Sequence, residues 1–181
     1  FGYEGVNISN AKKIKNYKKI IIPGVGKFDT AMEYLNNNNI SNVLVEYINQ
    51  TEVYVLGICL GMHLLCRRSE EGILPGLNIL NSDVVHLKNL IKKNQTYPHM
   101  GWNELIISRN NKILPIGSKY RFYFVHNYCL VPDDPDIEIA RCSYGEEFCV
   151  AIQQKNVFGV QFHPERSHKF GLGLIQRFLL L

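Results

Sequence analysis

Several things are scarce in this chain, and each scarcity removes a class of protein. No apolar run approaches the ~20 residues that a membrane-spanning helix needs, and the N-terminus carries no basic-then-apolar leader. The five cysteines stand at 59, 66, 129, 142 and 149, an odd number without a CxxC pair. That pattern makes neither a disulfide framework nor a zinc ribbon. Charge of one sign is in slight excess: 20 Lys+Arg against 16 Asp+Glu leave +4 at pH 7, too little to imply a nucleic-acid partner. The basic cluster Lys12, Lys13, Lys15, Lys18 and Lys19 reads as a solvated helix face. No metal-ligand spacing and no phosphate-cradling loop occur, so neither metal nor cofactor is expected. A reducing cytoplasmic setting fits, with most thiols serving as small buried hydrophobes.

What is present is alternation. "KIIIPGVG" (19–26) and "EVYVLGI" (52–58) are short continuous apolar runs, the mark of strands buried on both faces. "DTAMEYLNNN", "ISNVLVEYINQ" and "LGMHLLCRR" have helical spacing, with Asp29 and Ser41 expected as N-caps. "GVNIS" (5–9) is expected to be a further strand and "AKKIKNYKK" a polar helical turn. Beyond residue 75 the texture becomes strand-rich: "LNILNSDVVHL", "NELIIS", "KYRFYFVHNYCLV", "IEIARC" and "VAIQQKNVFGVQFH". A closing helix, "SHKFGLGLIQRFLLL", takes Ser167 as its cap. The expected fold is therefore a three-layer α/β domain over residues 1–181. It has a mostly parallel sheet covered by helices on both faces and an antiparallel or mixed region in the second half.

The chemistry centres on "GICLG" (57–61). A cysteine between two glycines, where a strand turns into a helix, has the form of a nucleophile elbow. Helix N–H groups aimed at Cys59 are expected to lower its thiol pKa. "GVQFHPERS" places His163 at a strand end with Glu165 two residues on. In extended chain, held so by Pro164, both side chains face one way, and the carboxylate can orient the imidazole. "PGVG" (23–26) ends another buried strand. Parallel strands bring their C-terminal ends to one edge, so Cys59, His163 and this loop are expected to meet there. N–H groups of the loop, at Gly24 and Val25, and of Leu60 can then receive a developing oxyanion.

"PGVGKF", "GICLGM" and "GVQFHPE", in this order, resemble the class I, triad-type glutamine amidotransferases. "PHMGWNEL" (98–105), "RFYFVHNY" (121–128) and "FHPERSHKFGLGLIQRF" are similar to one branch, the glutaminase subunits of imidazole glycerol phosphate synthases. The resemblance extends over nearly the whole chain. It implies a thioester of glutamine on Cys59, proton transfer by His163, and Glu165 holding the imidazole. It implies glutamine gripped near Gly26, His63, His126, Asn127 and Tyr128. It further implies ammonia passed to a (β/α)8-barrel synthase partner in a heterodimer, with His99, Met100, Trp102, Asn103 and Arg166 at the interface.

Four departures stand out. His63 replaces the family's Gln, Asn127 its Ser, and Arg166 its Lys. The chain opens with Phe1 where relatives carry a first βα unit, so the natural protein is expected to possess that unit. Three other readings compete. One is a paralogue that supplies ammonia to a bacterial surface-polysaccharide sugar, favoured by "SEEGILPGL" and "ERSHKFG". Another is a non-catalytic binding subunit, and the third a cysteine hydrolase of the DJ-1/protease type.

Overall fold

The computed structural model describes residues 2, 4–91 and 95–181. After a 3-10 turn at Ala11–Asn16 come β1 (Lys19–Ile22), α1 (Phe28–Asn37), α2 (Ile40–Gln50), β2 (Tyr54–Ile58) and α3 (Leu60–Leu65). The strand-rich half follows: β3 (Ser82–His86), β4 (His99–Glu104), β5 (Ile106–Ile107), β6 (Arg121–His126), β7 (Tyr128–Pro132), β8 (Glu138–Tyr144), β9 (Glu146–Gln154) and β10 (Val157–Val160). The last helix is α4 (His168–Leu179). Among the described residues one six-stranded sheet runs in the order β1-β2-β10-β9-β8-β5. β1, β2 and β10 are parallel; β9, β8 and β5 continue the sheet antiparallel. Two antiparallel ribbons, β3-β7 and β4-β6, stand beside it.

Side-chain alternation along the central strands divides the core. Val55 and Val157 point to one face, under Phe28, Met32, Leu44 and Met62 of the first three helices. Leu56, Phe158 and Val160 point to the other, where Leu174 and Phe178 of α4 meet the ribbon residues Phe122 and Phe124. Each fully buried Phe of this kind contributes about 1.5–3 kcal/mol relative to exposure. The helices thus cover both sheet faces, as the sequence pattern requires.

The structure corrects several local expectations. Residues 5–9 form no strand. They run apart from β1 across a largely apolar groove of about 1150 Å³, lined by Val6 and Ile8 on one side and by Ile20, Ile22 and Leu35 on the other. A strand needs a ladder partner for its N–H and C=O groups, and among the described residues none is paired with this segment. Asp29 does not cap α1, whose N-cap is Lys27. Its carboxylate instead accepts the N–H groups of Ile73 and Leu74 at 3.0–3.1 Å, pinning a distant turn. Ser41 lies inside α2, which starts after Asn39 in the left-handed region (φ 55°). α3 ends at Leu65, short of the predicted Arg68, because residues 76–80 fold back on it. Leu77 N–H donates to the Leu64 carbonyl, and Ile79 and Leu80 N–H to that of Leu65, satisfying the helix end from outside.

Candidate active site

The corner between β2 and α3 is made by close backbone approach. A Cβ on Gly61 would lie 1.8 Å from the Ile22 carbonyl oxygen, and one on Gly57 would lie 2.7 Å from the Met62 backbone. A Cβ on Gly24 would meet Leu60 and the Gly61 nitrogen at 2.6 Å. Three glycines therefore let β1, its following loop and the start of α3 press together. Between them Cys59 adopts φ 50°, ψ −111°, a strained conformation for any L-residue and a feature of elbow nucleophiles.

β2 and β10 then bring the second segment alongside. Ile58 pairs with Val160, and Cys59 N–H donates to the Val160 carbonyl at 2.7 Å. His163 follows three residues later. Its Nδ1–H donates to Glu165 Oε1 at 2.6 Å, while its Nε2 is buried and without a hydrogen-bond partner. The backbone between them is not extended as expected. Pro164–Arg166 forms a 3-10 turn with Pro164 in its first position, where proline's fixed φ and missing N–H are tolerated. The turn, not strand alternation, sets carboxylate against imidazole. Ser167 locks it and is the N-cap of α4 as expected, though its hydroxyl makes no capping bond: it donates to the His163 carbonyl at 2.6 Å and accepts Tyr123 N–H at 3.0 Å.

The thiol itself reverses the expectation of a lowered pKa. Burial pushes Cys59 up from 9.0 to about 11. A hydrogen bond from the Leu60 backbone opposes this, while the charges of Glu165 and Glu71 add to it. α3 has only six residues, so its aligned dipoles do not outweigh loss of hydration. The other four cysteines are buried thiols.

Around this centre the remaining residues divide. Gly26 (φ 112°) ends the loop after β1 in a conformation suited to glycine, and the Val25 side chain at its tip is 84% exposed. His126 and His99 form a buried pair. His126 Nδ1–H donates to the Tyr128 carbonyl (2.8 Å), so its Nε2 accepts from His99 Nδ1–H (2.9 Å), and His99 Nε2 accepts from the Asn103 amide (3.3 Å). Burial lowers both, His126 to about 3 and His99 to about 4, which keeps them neutral. The Asn127 side chain is exposed, and its carbonyl accepts Leu87 N–H at 2.7 Å. His99, expected at an interface, is 3% exposed, whereas Met100 and Trp102 face outward at 59% and 41%. Trp102 stacks on His168 (5.6 Å, 5°) and meets Tyr123 edge-on, and Arg166 lies over the Tyr123 ring at 5.2 Å.

One residue at the centre escaped sequence reasoning. Gln161 is fully buried; its Oε1 lies 2.9 Å from His63 Nε2 and its Nε2 3.6 Å from Cys59 Sγ. A polar side chain inside the run "VFGVQF" was the available signal. Among the described residues, no group of three or more His, Cys, Asp or Glu could hold a metal ion, and no helix is long and apolar enough to cross a membrane.

A strained elbow cysteine and a carboxylate-bound histidine, each following the C-terminal end of one of two paired parallel strands, suit a thiol hydrolase or amidotransferase. The chain belongs to the class-I glutamine amidotransferase family, whose model matches residues 3–180. It is 43% identical over 169 residues to imidazole glycerol phosphate synthase subunit HisH 2 of Pseudomonas aeruginosa, covering 93% of this chain and 83% of that protein. It is 39% identical over 179 residues to the HisH 2 subunit of Methanococcus maripaludis, covering 98% and 88%. Among solved structures, the crystal structure of a glutamine amidotransferase superposes with a TM-score of 0.76 at 18% identity, covering 99% of this chain and 86% of that one. A Trypanosoma brucei CTPS glutaminase domain with bound acivicin gives 0.62 at 15% identity, covering 94% and 74%. At such identities these two structures speak for the fold.

Proposed function

We propose that this chain is the glutaminase subunit of an imidazole glycerol phosphate synthase, releasing ammonia from glutamine for a synthase subunit in histidine biosynthesis. The observation that carries the reaction is the buried His163 ring. One nitrogen is committed to Glu165 and the other is unpaired, three residues beyond the strand that pairs with the one leading into Cys59. A buried imidazole nitrogen without a partner is costly; a proton to be moved during turnover accounts for it.

Cys59 Sγ attacks the side-chain amide carbon of glutamine as His163 Nε2 takes the thiol proton. The tetrahedral oxyanion is received by backbone N–H groups at Leu60 and at Gly24–Val25. The C–N bond breaks as His163 returns the proton to the leaving nitrogen, giving ammonia and a glutamyl thioester. Water, deprotonated by His163, then cleaves the thioester to glutamate and free thiol. Glu165 fixes the tautomer that keeps Nε2 available. Gly26, His63 and the segment His126–Tyr128 contribute to holding glutamine.

Met100 and Trp102, with Tyr123, His168 and Arg166 beside them, supply a surface for the partner, a (β/α)8-barrel synthase in a cytoplasmic heterodimer. Asn103 and His99 support that surface from beneath. The test is glutamine-dependent ammonia release by the complex with the synthase subunit. Cys59→Ala must abolish it, and undiminished release would overturn the reading.

A further inference from the structure

The mechanism above leaves buried Gln161 without a task and gives its neighbour His63 only a share in holding glutamine. Gln161 follows the last residue of β10, fully enclosed, and its amide is held at both ends. His63, in the first turns of α3, faces its oxygen at 2.9 Å, and the Cys59 sulfur faces its nitrogen at 3.6 Å. Burial pushes His63 down to about 4, so its ring is neutral at pH 7. A carbonyl oxygen only accepts, so the His63 nitrogen facing it carries the proton. A His63 N–H at this place matches the orientation of the Gln161 amide that turns NH2 toward sulfur.

We propose that Gln161 is a catalytic residue for the glutaminase reaction, donating an N–H to the Cys59 thiolate, and that His63 is the positioning residue that holds the amide in that orientation. The proposal rests on Cys59 being the nucleophile, and it adds a source of stabilisation to a sulfur that badly needs one. The charged side chains acting on Cys59, Glu165 and Glu71, are both anionic and both oppose ionisation. Against them, hydrogen bonds from the Leu60 backbone and the Gln161 amide favour the thiolate. Donors to an ionised acceptor are about twice as strong as neutral pairs. The amide thus acts most on the charged form, when the proton has left for His163.

The experiment reads ionisation directly, by thiolate absorbance at 240 nm and pH 10, each variant against its own Cys59→Ser counterpart. Gln161→Met removes the donor at similar volume and should lower the Cys59 thiolate signal about tenfold. Gln161→Glu keeps the acceptor for His63, places a carboxylate at the sulfur, and should lower it further. His63→Leu should reproduce the Gln161→Met effect. His63→Gln, whose own NH2 can donate to Gln161 Oε1, should restore the wild-type signal. In the complex with its synthase, Gln161→Met should reduce kcat about tenfold and leave KM for glutamine unchanged. Circular dichroism melts identify any variant that unfolds, and the Met and Glu forms each serve if the other does. Wild-type thiolate signal in a folded Gln161→Met or Gln161→Glu protein overturns the proposal. So does equal loss in His63→Gln and His63→Leu. Failure of the nucleophile assignment is seen separately, as ammonia release surviving in Cys59→Ser.

Discussion

Gly61→Ala tests how the site is assembled, because the added methyl has nowhere to go. Its Cβ would sit 1.8 Å from the Ile22 carbonyl oxygen and 2.7 Å from the carbonyl carbon, both backbone atoms of the strand that carries the Gly24–Val25 loop. Restoring ordinary contact requires the start of α3 and the end of β1 to separate by roughly 1.5 Å. Neither can yield by rotating a side chain, so the cost falls at the upper end of overpacking, about 3 kcal/mol. The same displacement draws Leu60 away from the loop proposed to share the oxyanion with it. A misplacement near 1 Å costs on the order of a hundredfold in rate. Urea unfolding and glutamine turnover with the partner present measure the two effects on one preparation. Gly173→Ala is the control: in α4 an added Cβ meets nothing nearer than the Arg177 guanidinium at 3.3 Å. It should stabilise by about 0.5–1 kcal/mol and leave turnover alone. A Gly61→Ala protein as stable and active as wild type would refute the argument that glycine contact builds the corner.

Glu165→Gln should keep the fold and lower kcat about a hundredfold with little change in KM, since orientation of a general base is worth 10²–10⁴; steady-state kinetics decide. Because folding raises the Cys59 thiol from 9.0 to about 11, the neutral thiol's contribution is complete below pH 9 and is lost as pH rises through 11. The stability of Cys59→Ala should therefore fall less than that of wild type between pH 9 and 10.5 in urea titrations. Trp102→Ala should weaken synthase binding by about 2 kcal/mol, as truncating an aromatic anchor does. Its melting temperature should stay close to wild type, since the indole is exposed; calorimetric titration against the synthase measures the affinity.

The elbow was legible because its requirements are local. Only glycine fits where Gly57 and Gly61 touch backbone, and a short apolar run followed by helical spacing is a one-dimensional signal. Strand and helix order, the division of the core into two faces, and the segments bearing Cys59, His163 and Glu165 come from the same kind of reading. Expectations failed where a distant segment supplied the partner. Asp29 has the form of a helix cap but holds the turn at Ile73. Residues 5–9 have strand composition but pair with no strand among the described residues. His163 and Glu165 meet through a proline-started turn that alternation does not describe.

Sequence by itself determined the parallel-strand elbow, the chemical types gathered at its edge and the family, because periodicity and glycine placement act within a few residues. Tertiary structure alone decided the state of those groups. Burial, which depends on every packed layer, raised the Cys59 thiol that a local dipole argument would lower. It also made His99 a core residue, and it threaded Gln161 between His63 and the sulfur. Hydration is lost through contacts made by the whole chain, and that loss has no signature in any single stretch of it.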